Sequence, residues 1–263
     1  MSSSCVAQGA GVCPAPSARR RLADPAWMTA RFVDQAGVEH EVPWLEAGER
    51  RLEECLPVRA FPVLKGRRVA PGWYWSATNH ALVHYGFKAM RTQVMMLDHD
   101  RQVVALACRP VELLWRGRGG RVISHAPHLM GRLADGSGLL LDCVGRFGAG
   151  RRLVQRAVHV EAAAAAVGWH YRLVGPPPAV VEANVRWLAG YRHPRCAQDR
   201  LAQVAACFRS PLPLVEGVRQ LGDPIAVWPA VFHALWRGVL RVPLERALHE
   251  RVVAVASQTA VQR

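Results

Sequence analysis

Apolar positions along this chain change period several times, and each change marks an expected element. From Trp27 to about Val42 apolar and polar residues alternate around Gln35-Ala36-Gly37, which predicts a short strand hairpin. Between 43 and 80 the alternation breaks. Pro57, Pro62, Pro71, Gly66 and Gly72 fall among aromatic residues, ending in Gly72-Trp73-Tyr74-Trp75-Ser76, so an irregular packed segment is expected with Arg67 and Arg68 at its tip. Over 84–97, Tyr85, Met90, Val94 and Leu97 recur at helical spacing without a proline, which predicts a helix. Short β-rich runs follow at 103–108, 111–115, 121–124 and 129–133. The turn Ala134-Asp135-Gly136-Ser137-Gly138 joins the last run to another at 139–144 and is the strongest hairpin signal in the chain.

An alanine-rich helix is expected over 151–167, a strand over 170–174 and, after the stop at Pro176-Pro177-Pro178, a helix over 179–191. That order describes a mixed α/β core. Residues 192–210 read as a connector. Two helices, 214–221 and 225–237, are split by Gly222-Asp223-Pro224, with Asp223 as N-cap and Pro224 at the first helical position. Candidate strands at 239–242 and 252–255 follow, so the C-terminal part reads as helical or winged-helix-like. Its second helix, from Ile225 to Trp236, is mostly apolar. A helix that reads bases needs polar and cationic residues, so a core or protein-contact role is expected instead. The expected division is a basic N-terminal arm over 1–26, an α/β domain over 27–192 and a small domain over 193–263. The arm ends in Arg19-Arg20-Arg21, which either touches phosphate or is simply solvated.

Composition narrows the classes. With 263 residues, 51% of them hydrophobic, the chain can bury a core as one large domain or as a medium one plus a small one. Its net charge is +14, and the only lysines are Lys65 and Lys88. A GC-rich genome explains arginine in place of lysine, but not 34 cations against 20 anions. Arginine offers a planar donor fork to phosphate oxygens, so double-stranded DNA or another nucleic acid is the expected partner; an acidic protein or a membrane surface is the alternative. The seven cysteines are irregularly spaced with no CxxC pair, which argues against a disulfide framework or a four-cysteine zinc site and fits a reduced cytoplasm. No apolar run is long enough to span a bilayer, and the N-terminus lacks a signal-peptide pattern. No small-molecule cofactor is expected.

The candidate chemistry lies on the expected hairpin. Several α/β nucleases place Pro-Asp before the first strand of a hairpin, and an acidic residue two positions before a lysine on the second. Side chains two apart in a strand share a face, where the carboxylates hold Mg²⁺ and the lysine orients water; a glutamate from the preceding helix completes the set. Here Pro127-His128 precedes the first strand, Asp142-Cys143-Val144 lies on the second, and Tyr85-Gly86-Phe87 opens the preceding helix.

With these features the chain resembles the TnsA-like endonuclease subunit of heteromeric transposases, over roughly residues 27–255. The matching stretches are Gly72 to Thr78, Tyr85 through Met96-Leu97-Asp98-His99-Asp100, His125-Ala126-Pro127-His128, Leu133-Ala134-Asp135-Gly136 and Val167-Gly168-Trp169. Asn184 to Pro194, Gly222-Asp223-Pro224-Ile225-Ala226-Val227 and Leu235-Trp236-Arg237-Gly238 continue the match in order. The resemblance implies a restriction-endonuclease-like core, a mixed sheet flanked by helices. It also implies a DNA endonuclease that nicks one strand at a transposon end while a partner transposase nicks the other. The departures fall on the family's catalytic positions. Its helix glutamate falls on Gly86 and a second on Met90, the aspartate of Pro-Asp on His128, and the lysine position on Val144; only the strand carboxylate is kept, as Asp142. One aspartate beside a neutral histidine is a poor Mg²⁺ site. The expected protein therefore binds duplex DNA and a transposase with impaired cutting. The alternatives are a working Mg²⁺- or Mn²⁺-dependent endonuclease using Asp142 with His128 and a recruited Glu112 or Asp98, and a DNA-binding regulatory or assembly protein.

Other clusters weigh less. His128 with Asp142, helped by His125, reads either as a site for a softer ion or as a plain His–Asp hydrogen bond. Asp98-His99-Asp100 is expected to be a solvated turn. His193, Cys196 and Cys207 lack a fourth zinc ligand. His80 and His84 would share a helix face, but no glutamate follows the first, and Ser137 between glycines is a turn residue. The arginines expected to border a DNA groove are Arg67, Arg68, Arg116, Arg118, Arg121, Arg146, Arg151 and Arg152.

Overall fold

A computed structural model describes residues 23–61, 71–197 and 199–257. Arg67, Arg68 and most of the expected N-terminal arm lie outside these residues. The protein is a mixed α/β structure, and among the described residues no helix is long and apolar enough to cross a membrane.

The first hairpin pairs β1 (Thr29–Val33) with β2 (Glu39–Pro43), and Asp34 shapes the turn by accepting from the N–H groups of Ala36 and Val38. A short helix α1 (Trp44–Ala47) follows. The segment expected to be irregular contains a regular strand, β3 (Gly72–Ser76), paired with β4 (Ala81–Tyr85). The expected helix over 84–97 is correspondingly displaced: α2 spans Lys88–His99, and Tyr85 ends a strand. Tyr85 fits the helical spacing by chance and belongs instead to the alternating pattern of the strand. His80 and His84 consequently share no helix face.

The next runs become β5 (Val103–Cys108), β6 (Glu112–Arg116), β7 (Val122–His125), β8 (Leu129–Leu133) and β9 (Gly138–Cys143). Helix α3 (Arg151–Ala166) returns the chain to β10 (His170–Val174), which lies parallel to β9. The strands form two four-stranded sheets, ordered β2-β1-β6-β7 and β10-β9-β8-β5. After α4 (Ala179–Leu188), the expected connector contains a helix, α5 (Leu201–Cys207). The chain finishes with β11 (Leu212–Pro213), α6 (Leu214–Leu221), α7 (Pro224–Trp236), β12 (Leu240–Arg241) and β13 (Val253–Ala256), the three strands forming a small sheet with β13 in the middle.

Strand β9 is buried along its whole length, and its pleat divides the interior. Leu139, Leu141 and Cys143 face a large cluster built from α2, α4 and the C-terminal helices. Leu140 faces a second cluster with Met130, Trp44, Trp169 and the inner face of α3. The C-terminal helices share the first cluster with Met90, Val94, Val185 and Leu188. Helix α7 contributes Val227, Ala230, Val231, Ala234 and Leu235 to that core, so most of its surface is unavailable for reading a DNA groove.

Asn184 on α4 ties the C-terminal part down. Its amide donates to the carbonyls of Leu244 and Arg246 at 2.9 and 2.7 Å and accepts from the N–H of Leu248 at 3.0 Å. The side chain is buried, so removing it leaves three backbone groups without their partner. Asn184→Ala is expected to lower stability by about 3 kcal/mol and to open the 244–248 segment to limited proteolysis, whereas a surface change such as Ala183→Ser leaves both unchanged. Denaturant melts with a protease time course check this.

Candidate functional site

Five chain segments meet at one end of the β8–β9 hairpin. Asp142 comes from β9, Tyr171 from the neighbouring parallel strand β10, His125 from the end of β7, and His128 from the residue before β8. Arg109 follows β5 directly. The period of two that puts Leu140 in the second cluster puts Asp142 on the same side, away from Leu141 and Cys143.

Asp142 has no exposed surface, and both carboxylate oxygens are engaged within the protein. Oδ2 accepts from Nε2 of His125 at 2.7 Å and from the Tyr171 hydroxyl at 2.9 Å; Oδ1 accepts from the backbone N–H of His128 at 3.3 Å. Burial alone would raise its pKa. The His125 hydrogen bond, the nearby imidazoles and the tyrosine outweigh that, and the carboxyl titrates below its ordinary value. Asp142 is thus a buried, ionised carboxylate, and both burial and Asp142 push the Tyr171 hydroxyl pKa upward.

His128 takes the opposite form. Its Nδ1 accepts from the N–H of Cys143 at 2.9 Å. Nδ1 also lies 3.3 Å from Oδ1 of Asp142, but a nitrogen accepting a backbone N–H has no proton to donate there. The ring is therefore the neutral Nε2–H tautomer. Its pKa is pushed down to about 4, chiefly by burial and further by the Arg109 charge and His125, against the pull of Asp142. The Phe87 ring packs against it edge-on at 5.1 Å between centroids.

Around the other expected positions the side chains are small or apolar. Gly86 lies in the link between β4 and α2, and a Cβ there would come within 2.2 Å of the Phe61 ring. Met90 is fully buried and its sulfur accepts from the Gly86 N–H at 3.3 Å. Val144 continues past the end of β9, its N–H donating to the Val174 carbonyl at 2.8 Å. Glu112 is buried and pairs with Arg59 and Arg31. Asp98 is not in a solvated turn. It is buried at the end of α2, where it caps the β3–β4 turn by accepting from Tyr74 and Ser76 and from the N–H groups of Ala77 and Thr78. His99 is half-buried and contacts the Trp236 carbonyl at 3.2 Å; of the three only Asp100 is exposed. Among the described residues no three His, Cys, Asp or Glu side chains converge on a point where a metal ion would sit. One hard oxygen ligand, already saturated, with two imidazoles does not fit Mg²⁺.

Of the arginines expected at a DNA groove, Arg116, Arg121, Arg146, Arg151 and Arg152 are exposed, and none of the five pairs with a carboxylate among the described residues. Arg118 starts the 3-10 turn Arg118–Gly120. Arg151 and Arg152 open α3, whose first turn holds no acidic residue and whose N-cap Gly150 offers no side chain. Two clefts of about 260 and 360 Å³ lie elsewhere, both flanking His99 and Arg101 beside α7. Tyr171, Phe61 and Arg109 are the neighbours that sequence reading missed. Arg109-Pro110 at a strand end was a visible signal for backbone constraint, while the Tyr171 contact depends on β10 pairing in parallel with β9. No protein-family model matches the chain, and no curated protein matches it either.

The depressed His128 pKa has a pH consequence. Above about 6.5 the ring is neutral in both folded and unfolded chains. Between about 6.5 and about 4 the unfolded chain binds a proton that the folded one refuses, so stability falls as pH drops through this window. His128→Gln, which keeps an acceptor for the Cys143 N–H, is expected to flatten that fall by on the order of 3 kcal/mol at its lower end. Urea melts of both proteins across the window measure it; parallel curves would show that His128 titrates normally.

Proposed function

We propose that this chain is a TnsA-like subunit that binds duplex DNA together with a partner transposase and has lost the strand-cutting step. The observation that carries the reading is the state of Asp142. The single carboxylate at the family's catalytic positions is sealed inside the protein with both oxygens spent on His125, Tyr171 and the His128 backbone. Neither Gly86 nor Val144 can supply a ligand or a cation, and His128 is neutral with its Nδ1 committed to Cys143. We therefore assign no Mg²⁺ or Mn²⁺ to the site.

The surrounding frame supports the family reading. An antiparallel hairpin followed by a helix and a parallel strand, with the acidic residue on the second hairpin strand, is the arrangement expected of a restriction-endonuclease-like core. The C-terminal order helix, strand, helix, helix, strand, strand, with a three-stranded sheet, suits a winged-helix-like domain. DNA as partner is favoured by exposed arginines that have no carboxylate partner among the described residues. Two cations at the positive end of α3 oppose its dipole, an arrangement that a bound polyanion relieves.

Purified protein tests this directly. Duplex binding is expected to weaken steeply with salt, with log K falling linearly against log salt. Supercoiled plasmid is expected to stay intact with Mg²⁺ or Mn²⁺, with or without the cognate transposase. Nicking that disappears in Asp142→Ala would sink the proposal in favour of a rearranged but working site; absence of DNA binding would remove the nucleic-acid reading altogether.

A further inference from the structure

Arg109 is held in an unusual way. Its φ is +45°, in the left-handed region that bulky side chains avoid, and Pro110 follows it, a neighbour that further restricts its backbone. Two hydrogen bonds fix the residue there: its carbonyl accepts from the N–H of Val58 at 2.9 Å, and its own N–H donates to the His128 carbonyl at 3.2 Å. Backbone strain of this kind persists only where surrounding structure enforces it, and it concentrates at ligand sites.

The side chain is equally unusual. A guanidinium has five N–H donors, yet no acceptor among the described residues lies within hydrogen-bond reach of this one, and its Nε is both buried and unpartnered. Among the described residues it lies against the face of Phe61, 3.8 Å from the ring centroid. Burial lowers its pKa without removing its charge. That charge is felt by His84, His128, Cys108, Arg59 and Asp142, which are the ionisable groups facing it. Of these, Asp142 is committed to His125 and Tyr171, Arg59 is paired with Glu112, His128 is neutral, and burial raises the Cys108 thiol pKa to about 12. Beside Asp142, whose charge it feels, the guanidinium therefore has donors that meet no acceptor among the described residues, presented flat on an aromatic ring.

We infer that Arg109 is the seat of a phosphate group, and that the group it takes is a backbone phosphate of bound duplex. This rests on the DNA-binding reading above and deepens it. A dication is repelled by the guanidinium. A phosphate brings the negative charge and the several acceptor oxygens that a stranded fork of donors requires. Arg109 then supplies, beside the sealed carboxylate, the positive charge that a working nuclease draws from metal.

Two probes separate the outcomes. In the first, inorganic phosphate is titrated at constant ionic strength into wild-type protein while the Arg109 Nε–H resonance is followed, assigned by its absence from Arg109→Lys. A shift that saturates, with a melting temperature that rises in wild type but not in Arg109→Gln, is expected. An unmoved resonance overturns the seat, even if Arg109→Gln fails to fold. In the second, duplex binding is measured against salt with EDTA present. Arg109→Gln is expected to lower the salt slope by about one unit relative to wild type. Duplex binding with an unchanged slope overturns the DNA assignment and leaves the first result to judge the seat. No duplex binding by wild type, with a saturating phosphate shift, overturns the functional reading and the DNA assignment while the phosphate seat stands.

Discussion

A negative charge sits on an inner strand of the second sheet at a point where the strand is covered on both faces. Burying an ionised carboxylate without partners is prohibitive, so the surroundings of Asp142 are dictated by the need to offset its lost hydration. The imidazole of His125, the phenol of Tyr171 and the backbone N–H of His128 all point inward to it. These groups come from β7, β10 and the entry to β8, so the carboxylate pins the second sheet to the end of the first. Removing any one donor leaves the charge short of a partner in a place that water does not reach.

The same requirement accounts for the neutral His128. With Arg109 close by and a backbone N–H already using Nδ1, a second cation would have to enter a space that has no further anion to receive it. What stays unmet at Arg109 is hydrogen bonding, since its guanidinium finds no acceptor among the described residues. In the nuclease arrangement proposed for this frame, a carboxylate pair collects a metal ion; here one carboxylate collects protein donors.

Much of this was legible in the sequence where pattern and structure depend on the same short-range rule. The Asp-Gly turn and its two apolar runs became β8 and β9 with nearly the expected bounds, and β5, β10 and α6 fell where periodicity placed them. Misreadings came where neighbours decide. Gly72 to Ser76 looked irregular because its strand is aromatic and follows a run of prolines, yet it pairs fully with β4. Leu201–Cys207 passed for a connector because seven residues carry too little periodicity to stand out. Asp98 looked solvated because nothing near it in sequence announces that Tyr74, Ser76 and two backbone N–H groups converge on it. That Asp142 would be conspicuous was clear from its apolar strand; that its oxygens would be saturated was not, since the donors come from 14 to 29 residues away.

The contact between Gly86 and Phe61 imposes an order on any evolutionary path through this site. Because the Phe61 ring occupies the space beside the Gly86 Cα, even a methyl group at 86 meets it at 2.2 Å. A lineage acquiring a side chain at 86 must first shrink or move residue 61, and moving Phe61 removes the platform beneath Arg109. Each single step is therefore penalised before the combination can be rewarded. The pair acts as a ratchet, holding the chain in its present form more firmly than either substitution would alone.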